Sequence, residues 1–95
     1  GLTKSPHAIN RAAQGRKVGV AVNDVQRARP ADIYRQRDGR LVVRGTRGRE
    51  HIIERNGELV TTIERTHSQN LKLLRKGDRV PASRDEIEFL KGLAK

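Results

Sequence analysis

The 95-residue chain sets 21 Lys and Arg against 11 Asp and Glu, a formal charge of +10, which favours a polyanion or a strongly acidic protein as partner. It has no cysteine, so disulfides, thiolate zinc sites and thiol catalysis are excluded, and no apolar run approaches the roughly 18 residues of a membrane span. One domain over residues 1–95 is expected, and its 22 Ile, Leu and Val residues suffice for one sheet with helices on one face, leaving the other face wet.

Ser5, Pro6 and Gly15 punctuate a first helix, as cap, first helical position and stop. His7 and Arg11, four apart, share a face of it. The opening at Gly1 reads as the start of a domain excised from something longer. Val18, Ala21, Val22, Val25 and Ala28 then repeat at helical spacing, and Pro30 ends that second helix. Four strands follow at about 32–37, 40–46, 49–55 and 58–65, with Asp38-Gly39 and Asn56-Gly57 as two-residue hairpin turns and Arg47-Gly48 as a weaker one. Helices at about 68–76, stopped by Gly77, and 84–94, opened by the capping box Ser83-x-x-Glu86, complete the chain. His67, beside the start of the first of these, reads as a surface residue. The expected class is α+β: N-terminal helices on a four-stranded antiparallel meander, with C-terminal helices.

Two-residue turns fix which residues face each other. They place Tyr34, Leu41, Val43, Ile52, Leu59, Thr61 and Ile63 on a core face. The opposite face receives Arg35, Arg37, Arg40, Arg44, Thr46, Arg49, His51, Arg55 and Thr62. One row across that face reads Ile33–Arg44–His51–Thr62, with Cβ atoms of neighbours about 5 Å apart. Arginines on an open sheet face are ordinary solvated residues when taken singly. Their convergence around a histidine and a threonine marks a candidate site. Fifteen of the basic residues are Arg, the side chain whose fork matches phosphate, so Arg35, Arg37, Arg40, Arg47 and Arg49 are candidate nucleic-acid contacts.

The order "SPHAINRA", a short helix and a meander ending in "NGELVTTI" resembles the barnase/EndoU/colicin/RelE-like ribonuclease toxin domains. These stand at the C-termini of contact-dependent growth-inhibition and other polymorphic bacterial toxins. The match runs from Gly1 to about Ile63. It implies that His7 and Arg11 are the family's helix histidine and arginine, and that Thr61 is its strand threonine, whereas the register favours Thr62. The segment "QGRKVGVAV" departs from the family's tight link, and residues from His67 onward lie outside the match. The resemblance further implies a larger secreted or cell-surface protein, a toxin acting in the target-cell cytoplasm, an RNA substrate such as tRNA, and an acidic immunity protein.

The residues present suit that chemistry without a metal or cofactor. A histidine titrates in the range needed to move the 2′-hydroxyl or leaving-group proton, and arginines stabilise a phosphorane. The candidate catalytic set is therefore His7, Arg11, Arg44, His51, Thr61 and Thr62. His7, His51 and His67 show no metal-ligand spacing, and Glu50, Glu54 and Glu64 are scattered. The alternatives are a non-catalytic basic nucleic-acid-binding module and a metal-dependent nuclease toxin. The low aromatic content, Tyr34 and Phe89 alone, disfavours recognition of single strands by stacking.

Overall fold

The computed structural model describes Ile9 and residues 18–95. The expected helix carrying His7 and Arg11 falls outside the described residues. The class is α+β. Helix α1 (Val18–Arg27) is followed by strands β1 (Ile33–Gln36), β2 (Leu41–Arg44), β3 (Arg49–Ile53) and β4 (Leu59–Glu64), then α2 (His67–Arg75), β5 (Arg79–Pro81) and α3 (Arg84–Leu93). The sheet is antiparallel throughout, in the order β4-β3-β2-β1-β5.

Local signals explain the helices. The stripe of α1 buries Ala21 and Val25, with Val18, Val22 and Ala28 packed alongside, and Pro30 opens a short turn directly after it. Lys91 of α3 donates to the carbonyls of Val25, Gln26 and Ala28 at 2.6, 3.1 and 2.7 Å. A cation thus satisfies carbonyls that the end of α1 leaves without helical partners. Thr66–Gln69 and Ser83–Glu86 form complete capping boxes on α2 and α3, and Gly77, at φ +75°, turns the chain out of α2.

Strand β5 was not expected. It is three residues long, contains Pro81, and sits at the sheet edge against β1, where a missing amide proton breaks no ladder.

The register differs from the two-residue turns read in the sequence. Each hairpin closes through a three-residue loop whose last residue, Gly39, Gly48 or Gly57, has positive φ. At Arg37–Gly39 and Arg55–Gly57, Asp38 and Asn56 accept from the amides of Arg40 and Glu58. This side-chain bond, two residues on, leaves only the glycine left-handed and adds one residue to the loop. The pairs are Arg35 with Leu41, Val42 with Ile52, and Val43 with His51, each hairpin shifted by one residue from the expected pairing.

One shift turns a side chain to the other face, so Leu41 and Ile52, expected together, lie in different clusters. The first cluster joins Ile33, Leu41, Val43, Ile53 and Leu59 to Ala21 and Val25 of α1, Leu90 and Leu93 of α3, Ala94 and Ile9. The second joins Tyr34, Val42 and Ile52 to Val60 and to Leu74 of α2. Both faces are therefore covered, and the expected wet face does not exist. Aliphatic residues alone are too few for two cores. The second face is closed instead by ion pairs and by the Asn70–Tyr34 hydrogen bond.

Gly48 is required twice over. Its φ is +75°, and an added Cβ would run into the backbone carbonyl of Arg65, whose amide donates to Gly48. Gly48→Ala is expected to lower stability by at least about 1–3 kcal/mol from left-handed strain alone. A urea midpoint within error of the parent's would refute that assignment.

Candidate functional site

Strand β3 carries three consecutive polar residues, Arg49, Glu50 and His51, between sheet faces that are both covered. Each needs partners, and each face has assembled its own network.

On the α1 face the expected row becomes Ile33–Val43–His51–Thr62, with Val43 where Arg44 was expected. The His51–Thr62 pairing holds. A bulge after Ile52, accommodating Val60, restores the pairing that the three-residue turn had shifted. The imidazole of His51 is fully buried. Its Nδ1 lies 2.8 Å from Thr62 Oγ1 and its Nε2 2.6 Å from Asp24 Oδ2. Asp24 also accepts two hydrogen bonds from Arg49, both 2.9 Å. Burial opposes ionisation of Asp24, but Arg49 and His51 outweigh it and hold the carboxyl below the usual carboxylate range. Asp24 packs directly on Gly45, where a Cβ would clash with the carboxylate. Thr61, which the resemblance selects, pairs with Ile52 and so lies on the opposite face.

On the α2 face Glu50, fully buried, collects three arginines. Arg79 reaches it at 2.7 and 3.0 Å, Arg44 at 2.6 Å and Arg65 Nε at 3.2 Å. Burial works against the charged form, yet Arg79 and Arg44 prevail and hold this carboxyl low as well. Three cations on one carboxylate leave a local excess of two positive charges.

Between the networks lies an open pocket of about 460 Å³. Its walls come from Asp24 and Arg27 of α1, Ala28, Arg29 and Asp32 of the segment after it, Arg44 at the end of β2, Gly45, Thr46, and His67 at the start of α2. Here the sequence reading and the structure meet only in part. Arg44 belongs to the pocket, whereas His51 stands behind Asp24 and presents no surface. The proposed basic sheet face is divided: Arg35 pairs with Glu86, Arg37 with Asp78, Arg40 with Glu54, and Arg49 with Asp24. Arg47 stands exposed in its turn, with no ion pair among the described residues. The register, which sends Arg44 to one face and Arg49 to the other, accounts for the division.

Arg27, Arg29 and Asp24 were not singled out, and His67 was expected at the surface, where it is exposed. Their convergence depends on how α1 and α2 cross the sheet, which no local pattern encodes. One signal was present for Asp24: an acid directly beside the apolar stripe of α1. Among the described residues no three His, Asp or Glu side chains gather as a metal site, and no helix is long and apolar enough to cross a membrane. No protein-family model, no curated protein and no solved structure matches the chain.

A third carboxylate, Glu86 of α3, is desolvated but bonded by the Ser83 amide, Arg55 and Arg35, which bring its pKa from 4.5 down to about 2. The unfolded chain therefore takes up protons first on acidification. Stability present above about pH 4.5 is expected to fall as pH drops toward 2, with Asp24 and Glu50 adding in the same direction. Urea unfolding across this range should show a shallower acid limb for Glu86→Gln. An unchanged limb would mean that Glu86 is not a source of the acid sensitivity.

Proposed function

We propose that the chain is a metal-independent endoribonuclease domain, of the toxin kind that the sequence resembles. The observation carrying this reading is the pocket in which His67 converges with Arg27, Arg29 and Arg44 on a chain of charge +10. In the proposed reaction a 2′-hydroxyl loses its proton to a general base and its oxygen bonds to phosphorus. The P–O5′ bond breaks, and the departing oxygen takes a proton from an acid. His67 is the proton-transfer group that the pocket offers. The three arginines meet the charge of the phosphorane, and Thr46 is a further hydrogen-bonding group. His51 is a positioning residue, holding Asp24 against the pocket wall. On the resemblance, His7 and Arg11 complete the set.

The parts of this reading drawn from the resemblance are a larger secreted parent protein, tRNA as a substrate, action in a target cell's cytoplasm, and an acidic immunity protein. Incubation with total RNA, with and without EDTA, tests the chemistry. The expected products end in 2′,3′-cyclic phosphate and form at the same rate in EDTA. Intact RNA, or cleavage that EDTA abolishes, would reject the reading.

A non-catalytic RNA-binding module is the second reading, favoured by the complete burial of His51 and by the two carboxylates, Asp24 and Asp32, in the pocket wall. Under it the RNA is bound and recovered whole.

A further inference from the structure

The charge excess around Glu50 is unlike the other ion pairs of the molecule. Two of its arginines open onto different places: Arg44 onto the pocket just described, and Arg65 onto the far side of the chain entering α2. They are linked, since Arg44 also donates to the Arg65 carbonyl at 3.4 Å. The Arg65 Nε is buried without a hydrogen bond, although Glu50 lies 3.2 Å away. Glu50 therefore fixes where both guanidinium groups sit but does not neutralise them.

Beyond Arg65 the surface stays basic. Two shallow depressions of about 270 and 260 Å³ share Arg65 and Gln69. One adds Arg47 and Thr66, the other Lys72 and Lys76. The sequence of α2, HSQNLKLLR, has no acid. Glu64 is the acid lining the first depression, and Asp78 stands 4.0 Å from Lys76. Gln69, Lys72 and Lys76 follow one another along a face of α2 at about 5 Å per helical turn, a step comparable with that between successive phosphates on a strand. Leu73 is the one apolar residue type among the residues lining the two depressions, and the charge of the rest is complementary to a polyanion.

We propose that Arg47, Arg65, Gln69, Lys72 and Lys76 form a phosphate track that carries an RNA strand onward from the pocket. Glu50 pre-orients the arginine at the start of the track and the arginine inside the pocket. The track rests on the reading of RNA as substrate and extends it. Sequence specificity does not arise here, since backbone contacts position a nucleic acid without reading its bases.

The test is binding of a 2′-O-methyl RNA oligonucleotide, which lacks the attacking hydroxyl and cannot be cut. Fluorescence anisotropy between about 50 and 200 mM salt compares the parent protein with the Lys72→Gln/Lys76→Gln double variant. Both lysines are exposed, so the fold should be undisturbed, and circular dichroism checks it. Each lost single-strand phosphate contact should reduce the log–log salt slope by about 0.7. The double variant should therefore lose about 1.4. An Arg84→Gln/Lys95→Gln control, equally charged and outside the track, should keep the parent's slope.

An unchanged slope in the double variant would overturn the track, as it would if the patch serves an acidic protein instead. The binding readout does not depend on chemistry. A reduced slope in a protein that leaves natural RNA uncut would uphold the track while rejecting the ribonuclease reading.

Discussion

Replacing Glu50 by Gln is expected to cost about 3–5 kcal/mol of folding stability, the usual loss when a buried ion pair is broken from one side. The amide keeps the volume but offers one acceptor oxygen in place of two, and its NH2 group turns donors toward the arginines. The guanidinium groups of Arg79, Arg44 and Arg65 then surround a neutral group, and only the outward edges of Arg44 and Arg65 reach solvent. Arg79 is only 2% exposed and has little room to escape. A domain of this size has about 5–15 kcal/mol in all, so the variant should sit near the limit of folding at 37 °C. Adding Arg79→Met should return part of the loss, because the second change removes a cation that the first left stranded. A urea midpoint for Glu50→Gln near the parent's would mean that the arginines are solvated and the buried network is misread.

His51→Ala is the second large effect. Its ring is fully buried and bonded at both nitrogens. Truncation leaves a cavity and removes one of the two side chains that hold Asp24. The expected cost is about 2–4 kcal/mol. Asp24 also lines the pocket, so cleavage of RNA should fall in this variant even under conditions where it is fully folded. His51→Asn, which can still donate a hydrogen bond toward Asp24, should recover part of that activity. A residue that touched the substrate as a proton carrier would not be rescued by Asn, and that outcome would move His51 from positioning into the chemistry.

The secondary structure was legible where single residues decide it. Pro30, Gly77 and the two capping boxes stop or start helices by chemistry confined to a few neighbouring residues. The register was not legible, and the cause is specific. Asp-Gly and Asn-Gly commonly mark two-residue turns, but here the Asp38 and Asn56 side chains bond two residues ahead and lengthen each loop by one. That shift put Arg44 on the same face as Glu50 and Ile52, opposite His51. The His51–Thr62 pair survived because the bulge at Val60 compensated the shift between β3 and β4.

The candidate site was legible only in fragments. The pairing of His51 with Thr62 came from strand alternation, whereas Arg44 was expected in a row it does not occupy and reaches the pocket from the other face. Asp24 and Glu50 could not be placed that way. Asp24 meets His51 across 27 residues, and Glu50 meets Arg79 across 29. Those contacts exist because α1 packs on one face of the sheet while α2 packs on the other and Arg79 reaches Glu50 from the edge strand β5. The arginine count was a sound guide to charge and a poor guide to its location, since most sheet arginines proved to be balanced by nearby carboxylates. Among the described residues the positive excess gathers around Glu50 and along α2, and α2 is a part of the chain that the resemblance did not reach.

The central claim is that the pocket between α1, β2 and α2 cuts RNA, and single-turnover cleavage of tRNA tests it most directly. His67 is exposed, so His67→Ala should fold like the parent. The cleavage rate of the parent should be indifferent to EDTA and should fall about 10²-fold or more in His67→Ala, the typical contribution of a positioned acid or base. Equal rates for the two proteins would contradict the assignment of the pocket. A folded parent that leaves the tRNA intact would contradict the activity itself.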